Sequence, residues 1–355
     1  MLQSAPLSVL SFPIISIQNI YNNPFIMRIL YIYRHPDMGF SIGKVFKPIE
    51  EEMKKYVEVD SVYLPCSNYQ PKSLWKNIRA ARKAVSKKHY DIIHITGAEH
   101  YLIPFLNRYR TVVTVHDLGF YTNHKKSLRT IWKYLTFVKT LEMADYTTYI
   151  SQKSMDEADK YINIRNDRKI VISNPVGKEY SYHPKDININ NPTILHVGTK
   201  PNKNLDRTIK ALNGINCHLR IIGNLSEEQQ KLLDENRICH SCVYNITDDE
   251  ILEEYVNADI ISFPSLYEGF GMPIIEGQSI GRPVLTSNLS PMNEIAGTGA
   301  VLVDPTDVND IRNGFLTLLN NAEKICRDAV ENSRRFQVDI ITKQFLEVYK
   351  RVIYQ

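Results

Sequence analysis

The chain is poor in the residues that hold small secreted scaffolds together. Its 355 residues include five cysteines, Cys66, Cys217, Cys239, Cys242 and Cys326, too few and too scattered for a disulfide framework, which points to a reducing compartment. Cys239 and Cys242 have metal-like spacing in CHSC, but a closed zinc site needs four ligands and no second pair accompanies them. A long apolar run is missing as well. Residues 1–26 carry no charge, yet Pro6, Pro13 and Pro24 interrupt them, so neither a secretory signal nor a span of about 20 apolar residues fits. This stretch is expected to be an unstructured extension, with MRILYIYR from Met27 opening the first core strand. Internal repeats, low-complexity tracts and nucleic-acid motifs are absent. No strand is followed by Gly-x-Gly-x-x-Gly, which argues against a dinucleotide oxidoreductase. No Asp-x-Asp pair stands at a catalytic position, so an essential divalent metal is not expected.

What is present suffices for two domains, with 43% hydrophobic residues to build their cores. The net charge of +4 is unevenly placed: residues 27 to 175 hold 25 Lys and Arg against 15 Asp and Glu, a net +10, and the remainder carries −6. A basic first half suits an anionic surface or substrate, or is simply a solvated face.

Short apolar runs alternate with helix-period segments. RILYIYR, VEVDSVYL, DIIHIT, TVVTVH, YTTYIS and KIVIS read as strands of one sheet, and TILHVGT, CHLRIIG, CVYNI, DIISFPS, PVLTSN and AVLVD as strands of a second. Runs apolar along their length, separated by helices, imply parallel sheets covered on both faces. Residues 174–193, rich in Asn, Pro and Tyr, read as a linker, and TDDE at 247–250 as a capping box. VDIITKQFLEVYKRVIYQ has the spacing of a long amphipathic helix. In doubly wound sheets ligands bind at the carboxyl ends of the strands, so a cleft between the two units is the expected site.

One stretch carries chemistry, SLYEGFGMPIIEGQSIGRPV at 265–284. A strand precedes it and Pro273 suits the first turn of a helix. Gly269 and Gly271 let the backbone approach a ligand, while the amides of the helix start face an anion or hydroxyls. Glu268 in the loop and Glu276 one turn into the helix can border one pocket and accept from a polyol. The plainer alternative makes Glu268 a helix cap and Glu276 a solvated acid.

EGFGMPIIE resembles the E-x7-E motif of family 4 glycosyltransferases, and the similarity runs through ADIISFPSLYEGFGMPIIEGQSIGRPVLTSNLSPMNEIAGTGAVLVDP and back to HVGTKPNKNLDRTIKAL. The first half matches more loosely. The resemblance implies an α/β protein of GT-B fold, two doubly wound Rossmann-like domains facing a cleft. These are an acceptor-binding domain over 27–180 and a nucleotide-sugar domain over 190–335, with a helix over 336–355 crossing back to the first. It implies that Glu276 holds the ribose, and that Glu268 with the backbone of Gly269, Phe270 and Gly271, followed by Met272, holds the donor sugar and phosphate. Lys203 resembles the family lysine at the diphosphate. Asn202 stands where the family often has arginine, so Lys200 is the candidate second cation, next to Thr199. Gly39 and Ser41 resemble the first-domain phosphate loop, His116 the histidine at the donor sugar, and Tyr244 is a candidate for the base pocket.

The implied activity is transfer of a hexose, mannose among the candidates, with retained configuration from a UDP- or GDP-sugar to a glycan or lipid-diphosphate-linked acceptor in bacterial surface polysaccharide synthesis. No cofactor beyond the donor is implied. A double displacement needs a carboxylate on the far face of the sugar. The sequence offers no evident one, which favours same-face substitution. An epimerase of the same fold and a non-catalytic glycan-binding protein are the alternatives. KKSLRTIWKYLTFVK, 125–139, interleaves cations with aromatics, as in a helix on an anionic membrane surface or a core-facing helix with snorkelling lysines. The expected location is cytoplasmic, peripheral to the membrane.

Overall fold

The computed structural model describes residues 27–38, 41–117 and 128–354. The expected extension over 1–26 and the candidate Gly39 lie outside these residues. The first sheet is built from β1 (Arg28–Tyr33), β2 (Glu58–Tyr63), β3 (Ile92–Ile95), β4 (Thr111–Val115), β5 (Tyr146–Tyr149) and β6 (Lys169–Val171), all parallel, in the order β2-β1-β3-β4-β5-β6. The second uses β7 (Thr193–Val197), β8 (His218–Ile222), β9 (Cys239–Val243), β10 (Ile260–Phe263), β11 (Val284–Ser287) and β12 (Ala300–Val303), in the order β12-β11-β10-β7-β8-β9. Central strands β3, β4, β10 and β11 are buried at every position, because helices cover both faces.

The helices are α1 (Ser41–Met53), α2 (Pro71–Val85), α3 (Leu128–Lys133), α4 (Gln152–Asp159), α5 (Leu205–Leu212), α6 (Glu227–Glu235), α7 (Asp248–Asn257), α8 (Met272–Ile280), α9 (Met292–Ala296), α10 (Val308–Asn320), α11 (Ala322–Ser333) and α12 (Val338–Tyr354). Thr247 and Glu250 form the expected capping box of α7. Each sheet has one point where chain order reverses, between β1 and β3 in the first and between β7 and β10 in the second. Loops leaving adjacent strands there diverge to opposite faces, so a crevice opens beyond the strand ends.

The α12 helix returns to the first sheet and buries Ile341, Phe345, Val348, Tyr349 and Val352 against Ile29, Tyr31, Phe46 and Ile49. A buried polar chain fixes it: the Tyr349 hydroxyl meets Tyr31 Oη at 3.0 Å and His94 Nδ1 at 2.6 Å, and His94 Nε2 meets Thr114 Oγ1 at 2.9 Å. Burial holds His94 neutral, its pKa lowered to about 3. Residues 174–192 have neither helix nor strand, Thr193 opens β7, and the segment is strapped in place. Val176 N–H donates to Phe336 O at 2.8 Å, and the fully buried Arg282 donates to His183 O at 2.8 Å.

One strand departs from the sequence reading. CVYNI, 242–246, was the expected run, but β9 begins at Cys239 and ends at Val243, because register with β8 pairs His218 with Cys239 and Ile222 with Val243. Asn245 then takes a positive φ of 53° and turns the chain toward Thr247. As an edge strand β9 tolerates His240 and Ser241. A strand places Cys239 and Cys242, three residues apart, on opposite faces, so the CHSC spacing does not bring the two thiols to one ion.

Candidate active site at the seam between the sheets

At the second reversal point, the loop after β7 faces the loop after β10. Gly198 has φ +95°, and a Cβ there would stand 2.9 Å from Lys203 Cγ, so glycine lets Lys203 fold back over the loop. Lys203 Nζ reaches Glu268 Oε1 at 2.6 Å and lies 4.7 Å from the centre of the Phe263 ring. The two loops are tied directly. Leu266 N–H donates to Asn202 O at 2.8 Å, and Asn202 Nδ2 donates to Tyr267 O at 3.1 Å and to Glu268 Oε1 at 3.4 Å. Asn202, in the place of a second cation, therefore braces the acid instead. Lys200 is exposed and its carbonyl accepts from Lys203 N–H at 2.8 Å, while the Thr199 hydroxyl is spent on Asn224 O at 2.7 Å.

Gly271, with φ +118°, precedes α8, and Pro273 occupies its first turn, leaving an N-terminus with no side-chain cap. Glu268 is thus not a cap. Glu276 accepts from the Tyr255 hydroxyl at 2.7 Å, and burial pushes its pKa up to about 7 against the partial opposition of that bond, Lys44 and Lys203. Glu276 is thus a desolvated acid rather than a surface one. Lys203 pairs with Glu268 and its charge also favours the ionised form of Glu276, so the two acids share one cationic neighbour while each keeps its own hydrogen-bond partner. The Phe270 ring is buried, 6.0 Å from Phe336, and the Met272 side chain packs on the same core, so their contribution to the crevice is backbone. Tyr244 stands exposed beyond β9, outside the Lys203–Glu268 cluster. Ser41 opens α1.

The first sheet meets this loop closely. A Cβ on Gly269 would lie 3.4 Å from His116 O, so this loop packs directly on the end of β4. Ser151 Oγ donates to Gly269 O at 2.8 Å, and Lys153 Nζ donates to Glu268 O at 3.1 Å while lying 3.5 Å over the Tyr267 ring. Lys44 of α1 pairs with Asp248 in the first turn of α7. His116, at the end of β4, donates from Nε2 to Thr96 O at 2.9 Å, and burial lowers its pKa to about 4. The ring is therefore neutral near pH 7, with Nδ1 left as the acceptor. Lys153, Ser151, Lys44 and Tyr255 were not foreseen. A lysine or tyrosine at helical spacing looks like an ordinary face until the partner from the other sheet is known.

Comparison with known proteins agrees with this layout. A family model described as "Glycosyl transferases group 1" matches residues 182–336, and one described as "Glycosyltransferase Family 4" matches residues 44–180. The chain is 27% identical over 237 residues to the serotype-specific mannosyltransferase WbdA of Escherichia coli, covering 60% of this chain and 28% of WbdA. The chain thus spans under a third of that relative's length. Sucrose-phosphate synthase from Thermosynechococcus elongatus superposes with a TM-score of 0.74 at 19% identity, over 92% of this chain and 99% of that one. HepE of Anabaena, solved with UDP and glucose, gives a TM-score of 0.66 at 18% identity, over 91% and 99%. At these identities the structural likeness is one of fold.

Proposed function

The chain belongs to the family 4 glycosyltransferases and has their GT-B fold, and from that premise we propose that it moves a hexose from a UDP- or GDP-sugar to a glycan or lipid-linked acceptor in bacterial surface polysaccharide synthesis. Mannose is the first sugar to test, by analogy with WbdA, and UDP is supported by the ligand of HepE. The observation that carries the reading is the convergence of Lys203, Glu268, Glu276 and the uncapped start of α8 where β7 and β10 diverge, beneath His116 of the other sheet.

In this reading the donor diphosphate lies against Lys203 and the amides of α8. Glu276 accepts from the ribose hydroxyls, and Glu268 and His116 Nδ1 accept from the donor sugar. The bond from the anomeric carbon to the phosphate oxygen breaks as the acceptor oxygen bonds the same face. The acceptor's proton passes to the departing phosphate oxygen, releasing the nucleoside diphosphate. Positive charge and aligned amides stabilise that oxygen as its negative charge grows. A thermal-unfolding screen of UDP- and GDP-sugars tests the reading. At about 100 times its Kd the true donor should stabilise the fold by about 2.7 kcal/mol. Absence of protection by every nucleotide sugar would overturn it.

We place the enzyme on an anionic membrane face. No helix among the described residues is long and apolar enough to cross a membrane. The α3 helix runs into a π turn over Tyr134–Val138, which sends Phe137 and Val138 into the core and leaves Ile131, Trp132 and Leu135 exposed. With the neighbouring lysines this makes an interfacial surface. The double substitution Ile131→Ser, Leu135→Ser should cut co-sedimentation with phosphatidylserine vesicles several-fold, and added salt should weaken wild-type binding. Equal pelleting of variant and wild type would remove the membrane placement and leave the transferase intact.

A further inference from the structure

The loop that joins β10 to α8, residues 264–271, has neither helix nor strand, so its shape depends on what takes its carbonyls. Three are taken from the second sheet's own side. Asn204 Nδ2 donates to Pro264 O at 3.0 Å, Ser287 Oγ to Ser265 O at 2.6 Å, and Asn202 Nδ2 to Tyr267 O at 3.1 Å. At Glu268 the hold passes to the other sheet. Lys153 Nζ takes Glu268 O at 3.1 Å and Ser151 Oγ takes Gly269 O at 2.8 Å, both from the start of α4. The donor reading gives these two side chains no part.

Both are themselves held in place. Ser151 is the N-cap of α4 and 2% exposed, and its Oγ accepts from Ser154 N–H at 3.2 Å. Lys153 Nζ lies 3.5 Å over the Tyr267 ring, and the Tyr267 hydroxyl donates to Glu157 Oε2 at 3.3 Å, so the ammonium sits between a ring and a carbonyl of the loop it grips. Burial lowers the Lys153 pKa, with Glu157 and Glu268 opposing. A partly desolvated charge makes its bond to a carbonyl a strong one.

The consequence follows from peptide geometry. A trans peptide is planar, with its C=O and the next residue's N–H on opposite edges. Fixing Glu268 O therefore fixes the aim of Gly269 N–H, and fixing Gly269 O fixes that of Phe270 N–H, both turned away from α4. Neither N–H has an acceptor among the described residues. They lie between Glu268 and the start of α8, where the reading above lays the donor diphosphate.

We propose that Lys153 and Ser151 are positioning residues of the transfer reaction: from across the seam they hold the carbonyls of Glu268 and Gly269, so that the amides of Gly269 and Phe270 are aimed at the donor diphosphate. This rests on the donor reading above. Because the hold is on backbone, the Glu268 carboxylate stays available to Lys203 and the sugar.

The test titrates the full chain with UDP and UMP, and with GDP and GMP, by calorimetry. The ratio of monophosphate to diphosphate Kd isolates what the second phosphate contributes. Lys153→Met, which keeps the apolar stem, should lower that ratio by about tenfold and leave monophosphate affinity within about threefold. Lys153→Arg can donate to the same carbonyl and lie over the same ring, and should restore the ratio to within about threefold. A fold merely weakened by the substitution would lower both affinities together. Direct attraction of the phosphate by the ammonium would fade with salt, whereas the loss from misaimed amides should be the same at about 0.05 M and about 0.5 M salt. An unchanged ratio in Lys153→Met, equal weakening of both nucleotides, no recovery in Lys153→Arg, or a loss that vanishes at high salt would each overturn the inference and leave the transferase standing. Should Lys153→Met not fold, Tyr267→Leu decides, since it removes the ring beneath the ammonium and leaves α4 intact. It should lower the same ratio by about threefold, and no loss overturns the inference. A wild type that binds neither UDP nor GDP removes the donor reading itself, and this inference with it.

Discussion

Replacing Lys203 by alanine is expected to lower kcat for glycosyl transfer by about 10²- to 10³-fold, the usual effect of deleting one fixed group that meets charge developing in a transition state. The substitution removes the ammonium beside the departing diphosphate and strips Glu268 of its partner at 2.6 Å. An unpaired carboxylate would then face a dianion, so donor affinity should fall as well. The two contributions can be separated. If repulsion by Glu268 dominates, adding Glu268→Gln to Lys203→Ala recovers activity. If leaving-group stabilisation dominates, the double variant stays as slow as Lys203→Ala. The second outcome is expected, because Glu268→Gln alone should also abolish turnover, having lost the charge that accepts from the donor sugar and orients Lys203. Single-turnover rates with saturating donor make the comparison, and a Lys203→Ala or Glu268→Gln enzyme with more than half of wild-type turnover would remove the roles given to this pair.

The alternation of strands and helices was legible because the central strands β1, β3, β4, β10 and β11 are buried at nearly every position and so read as continuous apolar runs. β9 was misplaced because an edge strand with one wet face carries His240 and Ser241 where the reading looked for apolar residues. The acid pair and Lys203 were legible for a different reason: the glycines and proline around them serve local backbone geometry, at Gly198, Gly271 and Pro273, and local geometry is written in sequence. The contacts that complete the site join residues far apart along the chain. Lys153 meets Glu268 from 115 residues away, and Ser151 meets Gly269 from 118. Nothing in the neighbourhood of either residue records that partner. The candidate cation Lys200 and the base candidate Tyr244 show the converse limit: proximity in sequence to a motif did not carry either side chain into the Lys203–Glu268 cluster.

Donor affinity should rise with pH between 6 and 8, because Glu276 must be ionised to accept from two ribose hydroxyls and its pKa in the free protein is pushed to about 7. If only the carboxylate binds, apparent affinity scales with the ionised fraction and is about tenfold weaker at pH 6 than well above 7. The diphosphate diester of the donor does not titrate in this window, and His116, lowered to about 4, stays neutral across it. Glu276→Gln should bind donor weakly and with a flat pH profile. The same raised pKa acts in reverse on the empty protein. The folded chain retains a proton at Glu276 that the unfolded chain loses near its ordinary value of 4.5, so this group's contribution to stability is whole below pH 4.5 and is lost as pH rises through 7. Buried Glu99, also raised to about 7, adds the same sign. The melting temperature without donor should therefore fall between pH 5 and 8 more steeply in the wild type than in Glu276→Gln, while the increment that saturating donor adds to it should grow over the same range. A ribose-bearing donor that binds equally well at pH 6 and 8 would place its hydroxyls elsewhere than on Glu276.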